Sequence, residues 1–134
     1  MTDEKENENP THAPTILVVD DFSDNLVMLG LWLQSKNYRV LTAENGARAI
    51  EIATLAQPNL IIMDIHMPEL DGFGATRRIR QQAGLENVPV IALTAFSTEG
   101  FRKAAIDAGI DGYLNKPVDF EKLAGLIRRL LKED

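Results

Sequence analysis

Short apolar runs alternate along the chain with segments whose apolar residues recur at three- and four-residue spacing. The runs are Ile16-Leu17-Val18-Val19, Arg39-Val40-Leu41-Thr42-Ala43, Leu60-Ile61-Ile62-Met63, Val90-Ile91-Ala92-Leu93 and Gly112-Tyr113-Leu114. Their length and β-branched content predict strands. The intervening patterns predict helices over 22–36, 46–56, 72–83, 98–108 and 120–132. Asn45-Gly46 and Asp119 offer N-cap side chains, while Gln57-Pro58 and Ala83-Gly84 offer stops. The last helix carries a stripe of Phe120, Leu123, Ala124, Ile127, Leu130 and Leu131.

Strict strand–helix alternation predicts an α/β fold, a doubly wound parallel sheet of five strands with helices on both faces. The first, third and fourth runs are continuously apolar, as strands covered on both faces must be. The second and fifth are less so and belong at the edges. The order 2-1-3-4-5 satisfies this with right-handed crossovers throughout, a flavodoxin-like arrangement.

Charge and composition narrow the picture. Residues 1–14 lack large apolar side chains, contain two prolines and set four acids against Lys5, so half of the net charge of −6 resides there. That segment reads as a disordered acidic tail, and 15–132 as the folded domain. The body is only mildly acidic, which argues against a general electrostatic hold on nucleic acid. There is no cysteine, so disulfides and thiolate chemistry are excluded. No apolar run approaches a membrane span and the N-terminus does not resemble a signal peptide, so a cytoplasmic location is expected. A chain of 134 residues has room for one domain and none for an output module, so any signal must leave through protein contacts.

In sheets of this kind ligands bind beyond the carboxyl ends of the strands. Here those ends carry Asp20-Asp21, Asp64, Thr94 and Asn115-Lys116-Pro117. Three carboxylates gathered together repel and raise one another's pKa unless a cation intervenes. Mg2+ suits them, being a hard cation that binds a few carboxylates and leaves room for a phosphate. A third carboxylate then stands as a nucleophile, with Lys116 and Thr94 able to hold phosphoryl oxygens. Each residue alone could be a cap or a solvated loop residue; four strand ends with complementary groups are much harder to dismiss.

The motifs Ile16–Asp21, Asp64-Ile65-His66-Met67-Pro68-Glu69-Leu70-Asp71-Gly72, Thr94-Ala95 and Lys116-Pro117 resemble the CheY-like receiver domain of two-component response regulators, over about residues 15–132. The resemblance implies a signalling switch rather than an enzyme, phosphorylated on Asp64 by a sensor histidine kinase or a histidine phosphotransfer protein. It implies Mg2+ held by Asp20, Asp21, Asp64 and the backbone carbonyl of His66. It also implies phosphoryl binding by Thr94 and Lys116, a cis Lys116–Pro117 bond, and Tyr113 as an aromatic that turns inward when Thr94 shifts. Two positions depart from the usual pattern: His66, where Asn or another small polar residue is frequent, and Phe96, where a polar residue is frequent. Both are expected over the phosphoryl group, governing water access and the lifetime of the phosphorylated state.

Rival motifs are weaker. Gly72-Phe73-Gly74 lacks the third glycine of a dinucleotide fingerprint, position 77 being Arg. His12 and His66 are too few and too far apart for zinc. Arg77-Arg78-Ile79-Arg80 reads as a solvated helix face. The main alternative is a Mg2+-dependent phosphohydrolase or phosphotransferase acting on small molecules, but a haloacid-dehalogenase-type site calls for Asp at position 66. On the first helix, Leu26, Leu29 and Leu33 should face the sheet. Val27, Met28, Leu31 and Trp32 fall on the remaining surface, either as a docking face for a phosphodonor or, for Trp32, packed on the last helix.

Overall fold

A computed structural model describes residues 13–95 and 99–133. Residues 1–12, which hold most of the expected tail and His12, lie outside the described residues, as does Phe96. The strands are β1 (Thr15–Val19), β2 (Arg39–Ala43), β3 (Leu60–Asp64), β4 (Val90–Thr94) and β5 (Gly112–Asn115). The helices are α1 (Ser23–Ser35), α2 (Gly46–Ala56), α3 (Gly72–Arg80), α4 (Glu99–Ala108) and α5 (Phe120–Leu131). All strand pairings are parallel and the order is β2-β1-β3-β4-β5, as the run pattern predicts.

The expected caps form. Asn45 accepts the Arg48 amide at 2.7 Å, and Asp119 accepts the amides of Glu121 and Lys122. Gln57 ends α2 in the left-handed region at φ 51°. The third helix is shorter than its spacing predicts, ending at Arg80 rather than 83. The amides of Gln81 and Gln82 turn back to Arg78 and Ile79, and Gly84 at φ 86° redirects the chain. Arg80 itself is drawn away, donating to the carbonyls of Gly109 and Glu86 and pairing with Asp111.

Alternation along each strand sends side chains into two cores. Ile16, Val18, Ile62, Ile91 and Leu93 pack beneath Leu29 and Leu33 of α1 and Leu123 and Ile127 of α5. On the opposite face, Leu17, Val19, Ile61, Met63 and Ala92 meet Ala49 and Ala53 of α2, Phe73 and Ile79 of α3, and Ala105 of α4. One member of the α5 stripe differs: Leu126, not Ala124, joins the core, where its side chain closes over Gly112. Trp32 is half-buried and packs on Phe120, ring centroids 4.9 Å apart. Its within-domain reading is thus the correct one, whereas Phe22, Val27, Met28 and Leu31 are exposed.

Candidate functional site

The sheet register delivers its C-terminal ends to one rim. Val19 pairs with Met63, Asp64 with Leu93, and Thr94 with Asn115, so the residues ending or following these four strands are neighbours. Asp20, Asp64 and Thr94 are buried, Asp21 is exposed, and Lys116 reaches in from the end of β5. One carboxylate oxygen from each of Asp20, Asp21 and Asp64 lies within 4.8 Å of the others. Lys116 Nζ lies 3.4 Å from Asp20 Oδ2 and 3.5 Å from Asp64 Oδ2, and its amide donates to the Thr94 carbonyl at 2.8 Å. The Lys116–Pro117 bond is cis.

Local structure fixes each group. Asp20 does more than offer charge: its Oδ1 accepts the Phe22 amide at 2.9 Å and its Oδ2 accepts Asn25 Nδ2 at 3.1 Å. It therefore shapes the entry to α1, which has no side-chain N-cap of its own. Asp64 Oδ1 accepts the His66 amide at 3.1 Å, which aims Oδ2 toward Lys116. The turn after Asp64 closes tightly, with the Gly72 amide bonded to the Ile65 carbonyl and the Asp71 side chain capping α3 through Gly74. A Cβ on Gly72 would come within 2.6 Å of the Asp64 carbonyl oxygen, so only glycine fits there.

Burial is the largest influence on Asp64 and pushes its pKa up. Asp20 adds to that, against the His66 amide and Lys116, which pull it down. The site holds a carboxylate that is strained when ionised and only partly neutralised by one ammonium.

His66 departs most from expectation. Its backbone lies at the rim as predicted, but its ring also engages: Nε2 is 2.9 Å from Thr94 Oγ1, and the ring stacks on Phe101 at 5.3 Å. Phe101 of α4 meets Phe73 and Tyr113 edge-on, at 5.1 and 6.3 Å. Tyr113 is thus half-buried on an aromatic cluster centred on Phe101. Neither Phe101 nor Asn25, whose amide donates to Asp20 on the acidic rim, stood out in the sequence. Phe101 could have been found as the apolar residue four before the buried Ala105 on α4; Asn25 has no periodic signature.

Comparison with known proteins agrees with this geometry. A family model described as the response regulator receiver domain matches residues 16–128. The transcriptional regulatory protein PrrA of Mycobacterium bovis is 39% identical over 120 residues, 90% of this chain and 51% of PrrA, so the chain spans about half of that relative. The chemotaxis protein CheY4 of Vibrio cholerae superposes with a TM-score of 0.85 at 30% identity, over 88% of this chain and 98% of that one. The receiver domain of the sensor histidine kinase PA1611 of Pseudomonas aeruginosa, with a magnesium ion in its active-site cleft, superposes with a TM-score of 0.83 at 36% identity, over 90% and 99%. The small-molecule phosphohydrolase alternative draws no support from these matches. No helix among the described residues is long and apolar enough to cross a membrane. The strand order, the acidic rim and the family match lead to one assignment: the chain belongs to the response-regulator receivers, the phospho-accepting switches of two-component signalling.

Proposed function

We propose that Asp64 is the phosphoryl acceptor and that the donor is a phosphohistidine on a sensor histidine kinase or a histidine phosphotransfer protein. The observation that carries this is the convergence of Asp20, Asp21 and Asp64 within 4.8 Å, with Lys116 bridging the two buried members. An Asp64 oxygen attacks phosphorus in line. The P–N bond breaks, and its electron pair leaves with the donor imidazole nitrogen. Lys116 offsets charge on the phosphoryl oxygens, and Thr94 donates its hydroxyl to one of them. Water later attacks the same phosphorus, releasing inorganic phosphate and restoring the carboxylate. The chain thus assists its own phosphorylation and dephosphorylation without processing an external substrate.

The donor set fits Mg2+: Asp20, Asp21, Asp64 and the His66 backbone carbonyl are all hard oxygen ligands. When bound, the ion neutralises the negative charge that otherwise opposes a phosphoryl group approaching three carboxylates. The magnesium in the PA1611 receiver supports this reading.

Two surfaces frame the partners. The exposed Phe22, Val27, Met28 and Leu31 lie on the helix that begins beside Asp21, within reach of a donor aimed at Asp64. The output side is the α4–β5–α5 face, where Arg102, Ile106, Tyr113, Lys122, Leu126 and Arg129 line a cleft of about 470 Å³. Incubating the chain with a phosphohistidine donor and Mg2+ tests the whole reading. One phosphoryl group per chain, base-labile and abolished by chelator, is expected. Repeated turnover of a small phosphoester with no labelled protein would favour a hydrolase instead.

A further inference from the structure

The side chain and backbone of His66 join the acidic rim to the helix beyond it. Its backbone amide holds Asp64 Oδ1, its Nε2 holds Thr94 Oγ1 at 2.9 Å, and its face lies nearly parallel to Phe101, 10° between planes. Phe101 in turn seats α4 against Phe73 of α3 and Tyr113 of β5. One side chain therefore connects the candidate acceptor, the buried hydroxyl of β4 and the helix on the output face.

We propose that His66 is a latch: it holds Thr94 and α4 in the unphosphorylated arrangement, and phosphorylation proceeds against it. This rests on the phospho-acceptor reading of Asp64. A phosphoryl oxygen on Asp64 needs the Thr94 hydroxyl as a donor, and a hydroxyl carries a single proton. Where Thr94 donates to His66, that proton must be surrendered to the phosphoryl group. Where His66 donates to Thr94, moving Oγ1 toward Asp64 stretches a bond whose other end is fixed by stacking on Phe101. In both cases the bond opposes the active position of Thr94, and releasing it frees a face of Phe101. This gives the coupling between acceptor and output helix a discrete two-state element.

The test uses beryllofluoride with Mg2+ as a stable phosphoryl mimic on the full chain. His66 is exposed, so His66→Phe preserves the stack and the fold while deleting the hydrogen bond. It should raise beryllofluoride affinity about two- to tenfold, the net worth of one hydrogen bond. Hydrogen exchange over 99–115 in the free variant should move toward the pattern of the bound wild type. In a Thr94→Ala background the same substitution should add nothing, because the partner is already gone. An equal gain in both backgrounds, or no gain in either, overturns the latch. Failure of the wild-type chain to bind beryllofluoride at all would overturn the acceptor reading beneath it.

Discussion

The ammonium of Lys116 lies 3.5 Å from the Asp64 carboxylate while standing equally close, at 3.4 Å, to Asp20. Both distances exceed those of an ideal charge-assisted hydrogen bond, as expected of one cation shared between two buried acids rather than committed to either. Lys116→Met leaves those acids without their counterion. It should lower unfolding stability in chelator by about 1–3 kcal/mol, the cost of leaving buried polar groups unpaired. Millimolar Mg2+ should restore much of that loss, because the ion then supplies the missing charge. Denaturant melts with and without Mg2+ check both halves.

Asp64 has the opposite sign. Burial raises its folded pKa above the ordinary value of 3.8, so its contribution to stability is full below that value and is lost as pH rises through the folded pKa. At neutral pH without metal, the ionised form costs stability. Asp64→Asn should therefore be more stable than wild type at pH 7, on the order of 1 kcal/mol, with the gap shrinking toward pH 4. Thermal melts across that range measure it. A variant less stable at pH 7 would mean that Lys116 outweighs burial.

Tyr38 gives an alkaline counterpart away from the site. Its hydroxyl donates to Glu133 Oε1 at 2.9 Å, and burial together with that acid pushes its pKa up to about 12. A raised folded pKa means this stabilisation is present below pH 10 and is lost between about 10 and 12. Tyr38→Phe should remove that part of the alkaline loss, so the two proteins should converge in stability as pH climbs from about 10 to 12 in denaturant melts.

The exposed face of α1 makes a kinetic prediction. Burying a Met or Leu at a contact contributes roughly 1.5–3 kcal/mol, one to two decades of affinity. Met28→Glu and Leu31→Glu should slow phosphoryl transfer from a histidine-phosphorylated protein by about that factor. Transfer from acetyl phosphate should be unaffected, since the acidic rim is intact. Equal losses with both donors would point to a damaged fold.

Legibility in the sequence followed the physics of each feature. The central strands could be read because burial on both faces forces continuous apolar runs, as in Leu60–Met63. The acidic rim could be read because parallel register brings strand ends together whatever the loops do, so Asp20, Asp64, Thr94 and Lys116 met as expected. The His66–Thr94 bond could not, since it spans 28 positions and depends on one rotamer held by Phe101. The early end of α3 was hidden for a similar reason: Arg80 is drawn to Gly109 and Asp111, about thirty residues on, and local spacing is blind to that. On α5 the choice of Leu126 over Ala124 turns on the space left by Gly112 in a neighbouring strand.

The central claim is that Asp64 is the acceptor, and locating the acyl phosphate tests it most directly. Borohydride reduces an aspartyl phosphate to homoserine, which tandem mass spectrometry places at a single position. After reaction with a phosphodonor and Mg2+, homoserine is predicted at position 64 and at neither Asp20 nor Asp21. Homoserine at position 20 or 21, or labelled protein with an unreduced Asp64, would contradict the account.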